Sequence, residues 1–299
     1  MKDTPYRGRF APSPSGNLHF GSLVAAIASY CQAKSHEGVW LLRIEDLDPP
    51  RAIPGADLAI IKELTRFNMV SDEPVIYQSH ELQQHDYFKA LEYLIDNKHC
   101  YPCLCTRKML IQHDIYPNTC QNNLFPCTQE HAIKIKAPDQ DFVFIDKIQG
   151  TQSQNIQKQC GDFNIRRKDG LICYQLAVVI DDAKQGITEV VRGIDILDST
   201  GRQIFLQQTL NLTTPVYAHF PVLTYANGNK LSKQNHAKEI YGEDSYELTR
   251  MALQVLGQEP PKLTIKNQGH MLRWGIENWD IKKVPSVKEV TFDSETRLD

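Results

Sequence analysis

What the sequence lacks narrows the choices first. No stretch approaches the roughly 18 consecutive apolar residues of a membrane-crossing helix. The opening residues, MKDTPYRGRF, hold none of the apolar core that a secretory leader carries. There is no basic excess. Lys and Arg number 33 against 36 Asp and Glu, a formal charge of −3. That excludes a broad basic sheath for nucleic acid but leaves room for a local basic patch. No internal repeat is present, so a solenoid is excluded. What remains is 299 residues, 41% hydrophobic and 23% charged. This composition suits a soluble globular chain of one to two domains with a sizeable core. A cytoplasmic location is the expectation, with no membrane partner and no obligate protein partner implied.

Cysteine is not scarce. Of eight, Cys100, Cys103, Cys105, Cys120 and Cys127 crowd into one short segment. In a chain without secretory signals, such crowding points to metal or catalysis rather than disulfides.

The N-terminal third alternates between two periodicities. GRFAP, residues 8–12, reads as a short strand stopped by proline. Residues 22–35 read as a helix, with Leu23, Ile27 and Cys31 on one stripe and Ser22 able to cap it. GVWLLRI, 38–44, is an apolar run of strand length. Strand, helix and strand with short links make a βαβ unit, so the two strands should be parallel. Ligands of such sheets sit beyond the carboxyl ends of the strands. Residues 9–13 and Glu45 to Asp48 therefore belong to one sheet edge.

Helices are expected over 56–68 and 80–97. Residues 101–190 read as an insertion with its own small module, in which RRKDGLICYQLAVVI suggests a hairpin turning at Asp169-Gly170. The sheet should resume at TEVVRGIDIL, followed by a helix capped by Asp198 or Ser199 and ending near Leu210. VYAHFPVLTY reads as one more strand, then ANGNKLSKQN as a loop. The last 60 or so residues read as helical and then frayed. The segments are thus 1–100, 101–190, 191–240 and 241–299.

Three motifs carry chemistry. PSPSGNLHFGSL, 12–23, sets small residues around His19 where a helix begins. Free N–H groups at a helix start form a phosphate seat. Alone, the histidine fits a packed turn as well as a ligand contact. KLSK, Lys230 to Lys233, places two lysines where they can clamp a polyphosphate. Cys103, Cys105 and Cys120 form a thiolate trio suited to zinc, which takes four ligands. His113, Cys127, Cys100 and Tyr116 are all near enough to complete the set. Tyr116 stands four residues before Cys120, a spacing that shares one helical face.

HFGS after a first strand, with KLSK about 210 residues later, resembles the HIGH and KMSKS signatures of class I aminoacyl-tRNA synthetases. RFAPSPSGNLHFGS, RIEDLDPPR and VVRGIDILDST resemble the glutamyl and glutaminyl branch. The match spans about residues 7–240. Ser22, Leu231 and Gln234 depart from the signatures, the last by losing a hydroxyl. The resemblance implies a Rossmann-like, doubly wound parallel sheet of the α/β class, with an inserted zinc-containing module and a helical C-terminal part. It implies that a carboxylate attacks the α-phosphorus of ATP. His19, Gly21 and Ser22 would hold ATP with Lys233, and His19, Lys230 and Lys233 would act in catalysis. Mg2+ would accompany the ATP. Arg9 and Arg192 would bind the glutamate carboxylates, Glu45 its ammonium, and Tyr174 would complete a pocket edged by Phe10, Ala11, Pro12 and Ser13. Arginine suits carboxylates through its bidentate fork.

Only about 70 residues follow Lys230, too few for the anticodon-binding region of a full glutamyl-tRNA synthetase. This feature resembles the short glutamyl-Q group of that branch, which also carries a C-x-C…Y-x3-C site. That resemblance implies one Zn2+ on Cys103, Cys105, Tyr116 and Cys120. It further implies L-glutamate activated without tRNA, then transferred to queuosine at the wobble base of tRNA(Asp). A truncated glutamyl-tRNA synthetase charging the tRNA 3′ end is the alternative. A non-catalytic RNA-binding paralogue would not need the retained active-site set, and a nucleotidyltransferase would not need the glutamate-type residues. Arg166, Arg167 and Lys168 are a candidate RNA-facing cluster, and Lys282 and Lys283 have no assigned role.

Overall fold

The computed structural model describes residues 5–122, 126–127, 130–225, 239–262 and 266–291. The chain opens with β1 (Arg7–Phe10), then the proline-rich turn, where Gly16 adopts φ 127°. Only glycine takes that backbone conformation without strain. Next, α1 (Phe20–Ser35) leads to β2 (Val39–Ile44), which pairs in parallel with β1 and sets Arg9 opposite Leu41. The βαβ expectation holds. Then come α2 (Ala56–Arg66), β3 (Ile76–Tyr77), parallel to β2, and α3 (Glu81–Asp96).

The next stretch contains β4 (Cys100–Cys103), α4 (Arg107–Leu110), β5 (Ala132–Ile135), β6 (Asp141–Asp146), β7 (Gly150–Asn155), α5 (Ile156–Gln159) and β8 (Phe163–Arg166). β4, β5 and β8 form an antiparallel sheet of their own. β6 and β7 form a hairpin that instead joins the main sheet, because Asp146 pairs with Tyr217. Only part of 101–190 therefore stands apart from the main sheet. The chain continues through α6 (Tyr174–Lys184), β9 (Glu189–Gly193), α7 (Thr200–Thr209), β10 (Val216–Phe220) and β11 (Val222–Thr224). It closes with α8 (Ser245–Val255), α9 (Gln268–Glu277) and β12 (Glu289–Thr291).

Strands run in the order β3-β2-β1, then β9-β10-β6-β7. The two sets meet where the Thr188 N–H donates to the Arg7 carbonyl at 2.9 Å and the Arg7 N–H donates to Thr188 Oγ1 at 2.9 Å. Successive strands spread away from this junction in opposite directions. The junction is thus the switch point at which doubly wound sheets bind ligands. Helices α1, α8 and α9 cover one face, and α3, α6 and α7 the other. Trp40, Leu42 and Ile44 enter the first core and Leu41 the second. Burial on both faces explains why β2 reads as a continuous apolar run.

Several local expectations need correction. The helix start belongs to His19, not Ser22. The His19 backbone is extended, and its Nδ1 accepts the Ser22 N–H at 3.3 Å. The Asp169-Gly170 turn is present, with the Arg167 N–H donating to the Leu171 carbonyl at 2.8 Å. Its second arm ends quickly, because YQLAVVI is the start of α6. The VYAHFPVLTY strand is two strands divided at Pro221, which cannot donate to a ladder. Ser199 precedes α7 without a side-chain capping bond, since a short 3₁₀ turn over Ile194–Ser199 feeds the helix directly. Finally, the C-terminal part is not all helical, as β12 pairs in parallel with β11. No helix among the described residues is long and apolar enough to cross a membrane.

Candidate active site

Alternation along the strands decides which side chains meet. On β1, Phe10 enters the α1-side core, so Arg9 points toward α6. Leu42 and Ile44 do the same on β2 and turn Arg43 toward α6. On β9, Val191 sends Arg192 that way, and on β10 Ala218 and Phe220 send His219. Three arginines and a histidine thus form a row across four adjacent strands, all on one face of the sheet. Such a row is tolerable only if carboxylates and hydrogen-bond acceptors meet it.

They come mainly from α6. Asp182 Oδ1 accepts from Arg9 Nε at 3.1 Å and from Arg43 Nη1 at 2.8 Å, while its Oδ2 accepts from Arg9 Nη2 at 3.3 Å. Burial alone would raise the Asp182 pKa, but the two guanidiniums outweigh it and hold the carboxyl below its usual range. Arg43 is wholly buried. It also donates to Gln185 Oε1 at 2.6 Å and to Glu45 Oε1 at 3.3 Å, and its Nε lies 3.6 Å from Asp181. Asp181 in turn accepts from Tyr87 at 2.7 Å and from Gln78 at 2.7 Å. Burial raises the Asp181 carboxyl despite Arg43.

The row ends in a cavity of about 630 Å³ at the carboxyl ends of β1, β2 and β9. Arg9, Phe10, Ala11, Ser13, Glu45, Tyr174 and Arg192 all line it. Seven residues named from the sequence therefore share one wall system. Pro12, His19, Gly21 and Ser22 do not line it. Arg192 is held by three acceptors: His219 Nε2 at 2.9 Å, Gln203 Oε1 at 2.8 Å and Thr200 Oγ1 at 2.9 Å. Burial pushes the Glu45 carboxyl up even with Arg43 and Arg9 beside it. In this cluster two guanidiniums, Arg9 and Arg43, meet three carboxyls, Glu45, Asp181 and Asp182. The cluster is one positive charge short, and Glu45 is its cavity-side member, a position suited to an ammonium. Burial also raises the Tyr174 hydroxyl, which stays a neutral donor.

His19 stands at the other end of the turn. Its backbone bridges Glu239, and the Ile240 N–H donates to the Leu18 carbonyl at 3.2 Å. Lys230 and Lys233 lie outside the described residues, and Glu239 is where the described chain resumes after them. The basic cluster is not a free patch. Arg167 donates to Asp48 at 3.0 Å and to Asp169 at 2.6 Å, which ties the hairpin to the cavity rim.

Among the described residues, Cys103, Cys105 and Cys120 are the group suited to a metal, with all three sulfurs within 4.8 Å of one another. The Tyr116 hydroxyl lies 3.5 Å from Cys103 Sγ and 3.7 Å from Cys105 Sγ, and Cys105 Sγ lies 3.5 Å from Cys120 Sγ. Donors on a tetrahedral zinc with bonds of about 2.3 Å stand about 3.8 Å apart, so this spacing fits four ligands. The shared helical face expected for Tyr116 and Cys120 is absent. Tyr116 lies in irregular chain and Cys120 in a turn, and Asn118 between them takes φ 57°. His113, Cys100 and Cys127 are not in the group. Burial pushes the Cys105 thiol up to about 11, whereas backbone and neighbouring thiol contacts outweigh burial and lower Cys120.

Arg43, Asp181, Asp182, Asp146 and His219 were not singled out from the sequence. An arginine inside WLLRI and a double aspartate inside AVVIDDAK were the available signals.

The comparisons show the family and the fold. The model of the catalytic domain of class I (E and Q) tRNA synthetases matches residues 6–258. A glutamyl-Q tRNA(Asp) synthetase of Ectopseudomonas mendocina is 46% identical over 286 residues, covering 95% of this chain and 96% of its own. One from Vibrio parahaemolyticus is 45% identical over 289 residues, covering 96% of each. Among solved structures, the glutamate-tRNA synthetase of Elizabethkingia anophelis aligns with a TM-score of 0.81 at 24% identity. That alignment covers 98% of this chain and 69% of that one, and it speaks for the fold.

Replacing Arg43 by Met should leave Asp181 and Asp182 undercompensated and cost about 3–5 kcal/mol in urea unfolding. The deficit should widen as pH rises, because the folded variant would keep protons that the unfolded chain has released. A loss below about 1 kcal/mol would mean the acids are satisfied without this arginine.

Proposed function

The chain belongs to the class I glutamyl and glutaminyl synthetase family, and within it to the glutamyl-Q tRNA(Asp) synthetases; on that premise we propose that it activates L-glutamate with ATP in the absence of tRNA and then glutamylates queuosine at the wobble position of tRNA(Asp). The family makes it a ligase. The observation that carries the reading is the convergence of Arg9, Glu45, Tyr174 and Arg192 on one cavity at the sheet's switch point.

In the first step a glutamate carboxylate oxygen attacks the α-phosphorus of ATP. The bond to the β-phosphate oxygen breaks, giving glutamyl-adenylate and pyrophosphate. No protein nucleophile is needed, so positioning and charge stabilisation do the work. Arg9 and Arg192 offer guanidinium N–H groups to the carboxylates, and Glu45 accepts from the ammonium. His19, Gly21 and Ser22 at the start of α1 would hold ATP, and Lys230 and Lys233 would neutralise charge at the transferring phosphorus. Mg2+ bound by ATP would supply further charge neutralisation. In the second step a hydroxyl of the queuosine cyclopentenediol attacks the adenylate carbonyl and AMP leaves. The relatives' name, glutamyl-Q tRNA(Asp) synthetase, supports this acceptor.

We assign one Zn2+ to Cys103, Cys105, Tyr116 and Cys120, as the spacing of these four donors supports. The ion would hold β4 against the turns that follow α4, a structural role. Burial raises the Tyr116 hydroxyl. The Lys134 ammonium, 3.9 Å from the Tyr116 ring centroid, offsets negative charge in the set.

L-Glutamate should drive exchange of pyrophosphate into ATP in RNA-free buffer, and exchange that begins only after tRNA is added would overturn the activation step. Labelled glutamate should map to the anticodon nucleoside of tRNA(Asp), and label on the 3′-terminal ribose would move the protein to the alternative function. Lys233→Ala should lower kcat about 10²–10³-fold with little change in glutamate KM. A pure loss of affinity would remove the transition-state role. Metal analysis should find one zinc per chain, and Cys103→Ser should lose it. Undiminished zinc in that variant would take Cys103 out of the set.

A further inference from the structure

His219 lies wholly buried on β10, beside Arg192 of β9 in the strand register. Its Nδ1 is 2.6 Å from Asp146 Oδ2, and its Nε2 is 2.9 Å from Arg192 Nε. A guanidinium Nε–H can only donate. His219 Nε2 must therefore accept, and the single ring proton must sit on Nδ1, donated to Asp146. The ring is neutral, since burial together with nearby Arg192 and Arg9 outweighs Asp146 and pulls its pKa down to about 4. The remaining neighbours leave that assignment intact. Thr200 Oγ1 is 3.4 Å from Nε2, and the Tyr217 ring stacks with its centroid 6.1 Å away.

Asp146 is itself fixed. Its Oδ1 accepts the backbone N–H groups of Ile148, Gln149 and His219 at 3.0, 2.8 and 3.1 Å. That leaves Oδ2 aimed at the imidazole. A chain of two hydrogen bonds thus runs from the end of β6 to the guanidinium at the cavity wall, and it has only one consistent direction of donation.

We propose that Asp146 and His219 are positioning residues for amino-acid binding: Asp146 sets the His219 tautomer, and His219 in that tautomer holds Arg192 in its carboxylate-binding orientation. The proposal rests on the reading of Arg192 as a glutamate contact.

Asp146→Asn tests it. Asparagine keeps an acceptor oxygen for the three backbone N–H groups but faces the imidazole with an NH2 donor. Nδ1 must then accept, the ring proton moves to Nε2, and two N–H groups oppose each other across the Arg192 contact. A wrong tautomer in an otherwise intact site is known to be costly in catalysis. The expected result is a rise of about tenfold or more in glutamate KM with ATP KM little changed, alongside the modest fall in melting temperature that an opposed buried N–H pair brings. Nitrogen NMR of labelled histidine should place the His219 proton on Nδ1 in the wild type and on Nε2 in the variant. If Asp146→Asn does not fold, His219→Leu and His219→Gln replace it. Leucine removes the acceptor and should raise glutamate KM, whereas glutamine offers a carbonyl near the Nε2 position and should restore most of the affinity.

A wild-type ring protonated on Nε2 would overturn the proposal. So would a moved proton with unchanged glutamate KM, an equal rise in ATP KM, or no difference between leucine and glutamine. A wild-type enzyme that does not exchange pyrophosphate with glutamate would instead sink the functional reading, and the NMR spectrum would still decide the tautomer.

Discussion

Two guanidinium groups on neighbouring strands, Arg9 and Arg43, share the carboxylate of Asp182. Each is buried, and each would cost several kcal/mol to desolvate without a partner. The α6 side of the sheet is organised around that neutralisation. Helix α6 must lie where Asp181 and Asp182 reach β1 and β2. Tyr87 of α3 and Gln78 must reach Asp181. The opposite face is held mainly by apolar packing, with two buried hydrogen bonds, from Trp40 Nε1 to Ser29 Oγ at 3.0 Å and from Gln32 Nε2 to Glu189 Oε1 at 2.7 Å. The polar face therefore sets the register of α6 against the sheet, and with it the position of Tyr174, one end of α6, at the cavity.

The same arrangement explains the charge pattern of the site. Arg9 reaches the cavity with two of its five N–H donors committed to Asp182, and Arg192 is held at all three nitrogens. Both are preorganised, so little side-chain entropy is lost when a carboxylate arrives. Glu45 is the member of the cluster left with a deficit of positive charge. A ligand carrying both carboxylates and an ammonium complements all three, which a purely anionic ligand does not.

The parts of this protein that were legible in its sequence are those governed by period and by local backbone chemistry. The parallel pairing of β1 and β2, the span of α3 and the turn at Gly170 all follow from neighbouring residues. The cavity residues Arg9, Glu45, Tyr174 and Arg192 were legible through motif resemblance. The partners that hold them were not, because Asp182 is 173 positions from Arg9 and Asp146 is 73 from His219. No spacing rule spans such distances. YQLAVVI misread as strand because a helix buried on most sides shows the same apolar run as a buried strand. Tyr116 does stand beside the cysteines, but irregular chain and a turn, not a shared helical face, bring it there. β12 was missed because a strand of three residues carries almost no periodic signal.

That last strand constrains the order in which the protein can be built. β11 leads directly to the segment bearing the two lysines, and β12 is its strand partner among the described residues. Synthesis delivers the chain from its N-terminus, so β11 emerges some 65 residues before the strand that pairs with it. Every residue that lines the cavity has been synthesised by Ile196, long before that partner strand. The β11 edge cannot pair until Glu289–Thr291 follows. Synthesis of the cavity lining and completion of the β11 edge are therefore separated in time, and the core that α1 shares with α8 and α9 closes only near the end of translation.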